Sequence, residues 1–89
     1  MEENRFFLYD EKENTHTRFV SFMGDAHRYD LAIITSSRYY GKKIVVDLQG
    51  NHYAILGQDD VEEEGYLEHA YNLSEVEAEE LREFLREIV

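Results

Sequence analysis

Residues 43–56 read Lys-Ile-Val-Val-Asp-Leu-Gln-Gly-Asn-His-Tyr-Ala-Ile-Leu. Two short runs, 43–48 and 52–56, flank a turn at 49–51, and their β-branched and aromatic residues favour a pleated strand over a helix. A two-residue Gly50-Asn51 turn pairs Leu48 with Tyr53 and Val46 with Ile55. Those four side chains then share one face, with Val45, Asp47, Ala54 and Leu56 on the other. A three-residue turn would pair Asp47 with Tyr53 and scramble the faces, so the two-residue turn is expected.

Upstream, 5–9, 15–23 and 29–35 carry the same strand chemistry. Turn-forming stretches at 10–14, 24–27 and 36–41 separate them. Sequential strands with short links favour an antiparallel meander. The end of the chain is helical. Ser74 and Glu77 form a capping box, with Leu73 and Ala78 placed as a hydrophobic staple. Leu81, Phe84, Leu85 and Ile88 follow at helical spacing. A shorter helix over 65–71 turns Leu67, Ala70 and Tyr71 inward. The expected fold is α+β and a single domain over 1–89. A meander of about five strands spans 5–57, and one or two helices from 65–89 pack on one face.

Strands three to five are apolar on both sides. The pattern places Leu31, Ile33, Val46 and Ile55 on one face and Ala32, Ile34, Val45 and Leu56 on the other. Two helices cover one face only. The other then calls for the first strand, for loops, or for a second molecule, which makes a homodimer through a sheet face an expectation.

Eighty-nine residues with 20 acids against 9 Lys and Arg give a formal charge of -11. Affinity for phosphates comes from Lys and Arg, so this balance disfavours nucleic acid and anionic membranes as partners. A hydrophobic content of 43% excludes a disordered acidic chain. Cysteine is absent, which removes disulfides and thiolate chemistry. The acidic start lacks the pattern of a signal peptide, and the longest purely apolar run is only 31–34, so a cytoplasmic location is expected. The charge is unevenly spread. Residues 27–43 carry Arg28, Arg38, Lys42 and Lys43 against Asp30, whereas 59–89 carry 12 acids against Arg82 and Arg86.

Chemistry-bearing motifs are sparse. Asp25, His27 and Asp30 lie close enough in sequence to suggest a divalent cation, but a polar hairpin turn is the expected reading. His16 and His52 fall in strands, and His69 lies beside Glu68 without H-E-x-x-H spacing. No serine sits in a nucleophile setting. The five glycines form no phosphate loop. The acidic stretch 59–64 reads as a solvated loop. No enzymatic activity and no cofactor or metal is expected. The segment that stands out is 36–43, Ser-Ser-Arg-Tyr-Tyr-Gly-Lys-Lys, the basic part of an acidic chain. Tyrosine and arginine are enriched in recognition hot spots, so Arg38, Tyr39, Tyr40 and Lys42 form the candidate contact loop. The plain alternative folds one tyrosine under and pairs the cations with the acidic tail.

Arg-Phe-Phe-Leu-Tyr-Asp at 5–10, Thr-Arg-Phe-Val-Ser-Phe-Met-Gly at 17–24 and Tyr-Asp-Leu-Ala-Ile-Ile at 29–34 carry a resemblance. Arg-Tyr-Tyr-Gly-Lys at 38–42, Gly-Tyr-Leu-Glu-His-Ala at 65–70 and Asn-Leu-Ser-Glu at 72–75 extend it over nearly the whole chain. Together they resemble a small Gram-positive, Bacillus-like bacterial family classed as a domain of unknown function. The resemblance implies a cytosolic bacterial protein and brings no activity, cofactor or catalytic residue. The functional expectation is a protein-interaction or regulatory module with an unknown protein partner. The alternative is a small-ligand or nucleic-acid-associated protein using the Tyr-rich loop 36–43.

Overall fold

The computed structural model describes residues 5–25 and 27–89. Four strands form one antiparallel sheet in the order β1-β2-β3-β4: β1 (His16–Met23), β2 (Arg28–Thr35), β3 (Lys43–Asp47) and β4 (His52–Leu56). Three helices follow, α1 (Gln58–Glu62), α2 (Tyr66–Tyr71) and α3 (Glu75–Ile88). The fold is α+β with a meander sheet, as the strand pattern implied, but with four strands instead of five.

The missing strand is 5–9. These residues adopt no strand, and Phe6 and Leu8 are each 89% exposed. The polar link that follows explains this. Glu11 pairs with Arg38 and Glu13 with Ser36, in the loop beyond β2. The segment is thereby held at one end of the sheet and not along the free edge of β1, where a fifth strand would find its hydrogen bonds.

The β3–β4 turn also differs. Asp47 pairs with His52, Val46 with Tyr53 and Val45 with Ala54, so four residues, 48–51, make the connection. Three bonds enforce it. The Asp47 carboxylate accepts from the Gln49 amide at 3.2 Å, the Asn51 amide donates to the Asp47 carbonyl at 2.9 Å, and the Leu48 amide stays with the Asp30 carbonyl of β2 at 2.9 Å. Asn51 takes the left-handed conformation (φ 60°) that asparagine tolerates. The pairing is displaced by two residues from the expected one. Because side chains alternate with period two, the faces within this hairpin are unchanged.

Between β2 and β3 the faces are exchanged. Ile33 pairs with Val45 and Ala32 with Val46. Leu31 and Ile33 therefore join Val45, Ala54 and Leu56 beneath the helices, and Val46 and Ile55 join Ala32 and Ile34 on the opposite side. The core unites Tyr29, Leu31, Ile33, Val45 and Leu56 with Val61, Leu67, Tyr71, Ala78, Leu81 and Leu85.

Helix α3 begins at the expected capping box: the Glu77 amide donates to Ser74 Oγ at 3.2 Å, and the Ser74 amide to Glu77 Oε1 at 2.9 Å. The stretch 59–64, expected as a solvated loop, instead contains most of α1. Buried Val61 anchors it to the core, and Asp60 caps it by accepting from the Gly57 amide at 2.8 Å. Arg82 holds the three helices together. It is 8% exposed, donates from Nε to the Val61 carbonyl at 2.8 Å, and pairs with Glu79 at 2.7 Å and Glu68 at 3.6 Å. On the surface, Arg86 grips Glu62 with two bonds at 2.7 and 2.9 Å and draws the Glu62 carboxyl below its usual range.

Two buried tyrosines fasten the layers. Tyr71 donates to the Val45 carbonyl at 2.7 Å, and the Tyr29 hydroxyl lies 2.7 Å from the Glu77 carbonyl and 2.8 Å from Glu80 Oε1. Burial raises both phenols well above the ordinary value, and for Tyr29 the Glu80 carboxylate adds to the effect. A phenol with a raised folded-state pKa contributes stability that is complete below its unfolded pKa of about 10 and is lost as pH rises beyond it. Denaturation midpoints are therefore expected to fall above about pH 10, and Tyr29→Phe/Tyr71→Phe to flatten that fall. An equally steep decline in the double variant would refute the assignment. Separately, Arg82→Leu strands the Val61 carbonyl and the partly buried Glu68 carboxylate and is expected to cost about 2–4 kcal/mol in urea unfolding.

Candidate interaction surfaces

The loop at 36–43 is built from two tight turns, with the Tyr39 amide donating to the Ser36 carbonyl at 3.3 Å and the Lys42 amide to the Tyr39 carbonyl at 3.0 Å. Its cations are largely engaged within the chain. Arg38 pairs with Glu11 and stands 5.1 Å from the ring centre of Tyr9. Lys42 Nζ lies 3.3 Å from Asp60, and Lys43 donates to Thr35 at 3.1 Å. The Lys42 pair matches the counter-charge reading of the loop, whereas Arg38 reaches the N-terminal segment instead of the acidic tail. Tyr39 is half-buried, and Tyr40 is 97% exposed. Of the four candidate contact residues, Tyr40 is thus the one that projects fully into solvent. A shallow cleft of about 560 Å³ lies beside the loop, lined by Tyr39, Tyr40 and Lys43 with Ile88 and Val89 from the chain end.

Asp25, His27 and Asp30 do not converge. His27 Nδ1 turns toward Glu77 at 3.6 Å, and its ring meets Tyr29 edge-on at 4.8 Å between centres. Asp30 faces the other side of the sheet. There it accepts from Ser21 at 2.6 Å, pairs with Arg28 at 3.1 Å and bonds Gln49. The Ser21 bond, with Arg28 and Gln49, holds its carboxyl below the usual range. His16 and His52 lie in β1 and β4, and His69 is exposed on α2. Among the described residues, no three His, Asp or Glu side chains form a cation-binding group.

The structural role of Glu80 is not legible from spacing. Its carboxylate accepts from the Asp25 amide at 2.6 Å as well as meeting the Tyr29 hydroxyl, so α3 clamps the β1–β2 turn. Gly24 permits this, because a Cβ there would stand 2.1 Å from Glu80 Oε1. Beside the clamp, Phe22 stacks on Tyr29 at 4.9 Å and meets Phe84 at 5.0 Å. A cleft of about 750 Å³ opens outside this ring cluster, with Met23 and Val76 beside Glu79 and Glu83.

A second apolar surface is the sheet face on which none of the three helices packs. Register places Phe19, Ala32, Val46 and Tyr53 in one row across all four strands, and Thr17, Ile34, Ile44 and Ile55 in the next. Phe19 and Tyr53 are 74% and 68% exposed, while Ala32 between them is buried by its neighbours. The row is therefore a shallow trough, with exposed aromatics on its two edge strands roughly 14 Å apart at the usual strand spacing and a floor of partly buried Val46 and its isoleucine neighbours over a covered Ala32. Its far end is polar, closed by the Ser21–Asp30–Arg28 network. Phe19 was detectable as an apolar residue out of phase with Val20 and Phe22, but its row neighbours depended on the β2–β3 register.

The clamp generates a test. Gly24→Ala should displace the Glu80 side chain and cost about 1–2 kcal/mol through the lost hydrogen bonds. In a Glu80→Ala background the same substitution should cost far less, and equal costs in the two backgrounds would show that Glu80 is not the group Gly24 accommodates.

The sequence pattern of the SAV0927-like family matches residues 8–87, which takes in the basic loop, the sheet and all but the last residue of α3. No curated protein matches the chain. By the extent of that match the chain belongs to the SAV0927-like family, a family of unknown function.

Proposed function

We propose that this protein is a protein-interaction module without catalytic chemistry, working in the bacterial cytosol and binding through its helix-free sheet face. The observation that carries the reading is the trough itself, in which two large aromatics stand mostly in solvent beside Ala32, Ile34, Val46 and Ile55. Contiguous apolar patches of this kind usually mark interaction sites. Exposed aromatics on such a face supply anchors for a partner. The absence of cysteine suits a reducing compartment. Among the described residues, no helix is long and apolar enough to cross a membrane.

Loop 36–43 has a lesser part in this reading. Tyr40 offers one exposed anchor beside the cleft that reaches Ile88 and Val89, and Tyr39 is half-buried. Arg38 and Lys42 already hold carboxylates, which weakens the case for a phosphate-bearing ligand there.

The test uses the tagged full chain in lysate of its own host. Wild type is expected to migrate in a complex larger than the free chain, and Phe19→Ser/Tyr53→Ser to lose it while keeping the wild-type circular dichroism. Tyr40→Ser is expected to weaken the complex by less than tenfold. A wild-type chain that runs free would refute the reading, as would a complex indifferent to Phe19 and Tyr53.

A further inference from the structure

Among the described residues, two apolar features stand largely in solvent. One is the trough walled by Phe19 and Tyr53. The other is the arm at 5–9, where Phe6, Phe7, Leu8 and Tyr9 are 89%, 55%, 89% and 66% exposed. The arm has no secondary structure, and the molecule measures 52 × 27 × 24 Å, so its long axis is about twice the others. Glu11 and Glu13, bound to Arg38 and Ser36, fix the root of the arm at the end of the sheet where β2 finishes. From that root the arm leaves its own trough unfilled. We infer that the occupant of the trough is the 5–9 arm of a second copy of this chain, exchanged reciprocally in a two-fold dimer. The inference rests on the proposed reading of the sheet face as a binding surface and names its partner.

Three observations favour a second copy. The first is reciprocity. Every chain carries one arm and one trough, and a two-fold operation satisfies both at once with a closed assembly. The second is charge. Residues 59–89, which form nearly all of the helical layer, carry 12 acids against Arg82 and Arg86, a net of -10 out of -11 for the chain. The helices lie on the other side of the sheet. The trough has at its border the Arg28–Asp30 pair, and the arm carries Arg5. Asp10 and Glu11 follow the arm, Glu11 being paired with Arg38, and two chains meeting here keep apart the helical layers that hold most of the excess charge. The third is area. Phe6, Phe7, Tyr9, Phe19 and Tyr53 are 55–89% exposed, and at about 150–250 Å² per aromatic they offer on the order of 700 Å² for burial. With Leu8 added, this approaches the roughly 800 Å² per partner of a standard specific interface.

The purified full chain decides the matter by sedimentation equilibrium. Wild type is expected at twice the 10.6 kDa chain mass. Phe6→Asp/Leu8→Asp in the arm and Phe19→Asp/Tyr53→Asp in the trough should each weaken dimerisation by about 100-fold or more. All four positions are at least 68% exposed, so the fold should persist, and circular dichroism checks it. An equimolar mixture of the two variants should associate more tightly than either alone, because one intact arm then meets one intact trough. A wild type that stays monomeric to roughly 1 mM would overturn the inference, including the case in which the arm folds back on its own sheet. A dimer unaffected by the arm substitutions would overturn it too. If the purified chain is monomeric while the lysate complex still depends on Phe19 and Tyr53, the second copy is wrong and the interaction reading stands. If both fail, both fall.

Discussion

Burying Leu31, Ile33, Val45 and Leu56 beneath three helices leaves the other side of the same strands without cover, and much of this molecule follows from that asymmetry. A strand presents alternate side chains to opposite faces, and β2, β3 and β4 are apolar in both phases. The chain beyond β4 is long enough to form one layer. That layer is short, with 5, 6 and 14 residues in its helices, and it must pack tightly to close the core. The connectors between layers are correspondingly specific: Tyr71 on the Val45 carbonyl, and Glu80 on both Tyr29 and the β1–β2 turn.

Charge is arranged around the same asymmetry. Twelve acids in one third of the chain would repel one another if left unpaired. Two arginines organise part of them. Buried Arg82 ties the end of α1 to Glu79 and Glu68, and Arg86 bridges α3 to Glu62. The remaining carboxylates surround the helical layer, with Ser74 and Asp60 capping two of its helices. The opposite sheet face stays close to neutral. One side of the molecule is thus suited to solvation and the other to contact.

Much of this was legible in the residues themselves. The capping box at Ser74 and Glu77, the stripe through Leu81 and Leu85, and the inward set Leu67 and Tyr71 are local patterns that the structure reproduces, because helix periodicity depends only on near neighbours. The α+β meander followed from short strands with short links. The candidate site was less legible. Arg38, Tyr39, Tyr40 and Lys42 stood out by composition, yet composition does not say where a cation finds its carboxylate. Arg38 found Glu11, 27 residues away, and Lys42 found Asp60.

The sequence by itself determined four of the strands, the two helices that follow Gly65, the capping of α3, the face partition within the β3–β4 hairpin and the excess of apolar surface over available cover. Each rests on side-chain periodicity or on residues within a few positions of one another. Only the tertiary structure decided which residues line the trough, that 5–9 forms no strand, that 59–64 contains most of α1, and that Arg82 and Glu80 join the layers. Those outcomes depend on register and on partners distant in the chain, where a shift of one residue exchanges every side chain between core and solvent. The Asp47 turn and the Ile33–Val45 pairing set that register here. With them the aromatic walls fall on the face that no helix covers.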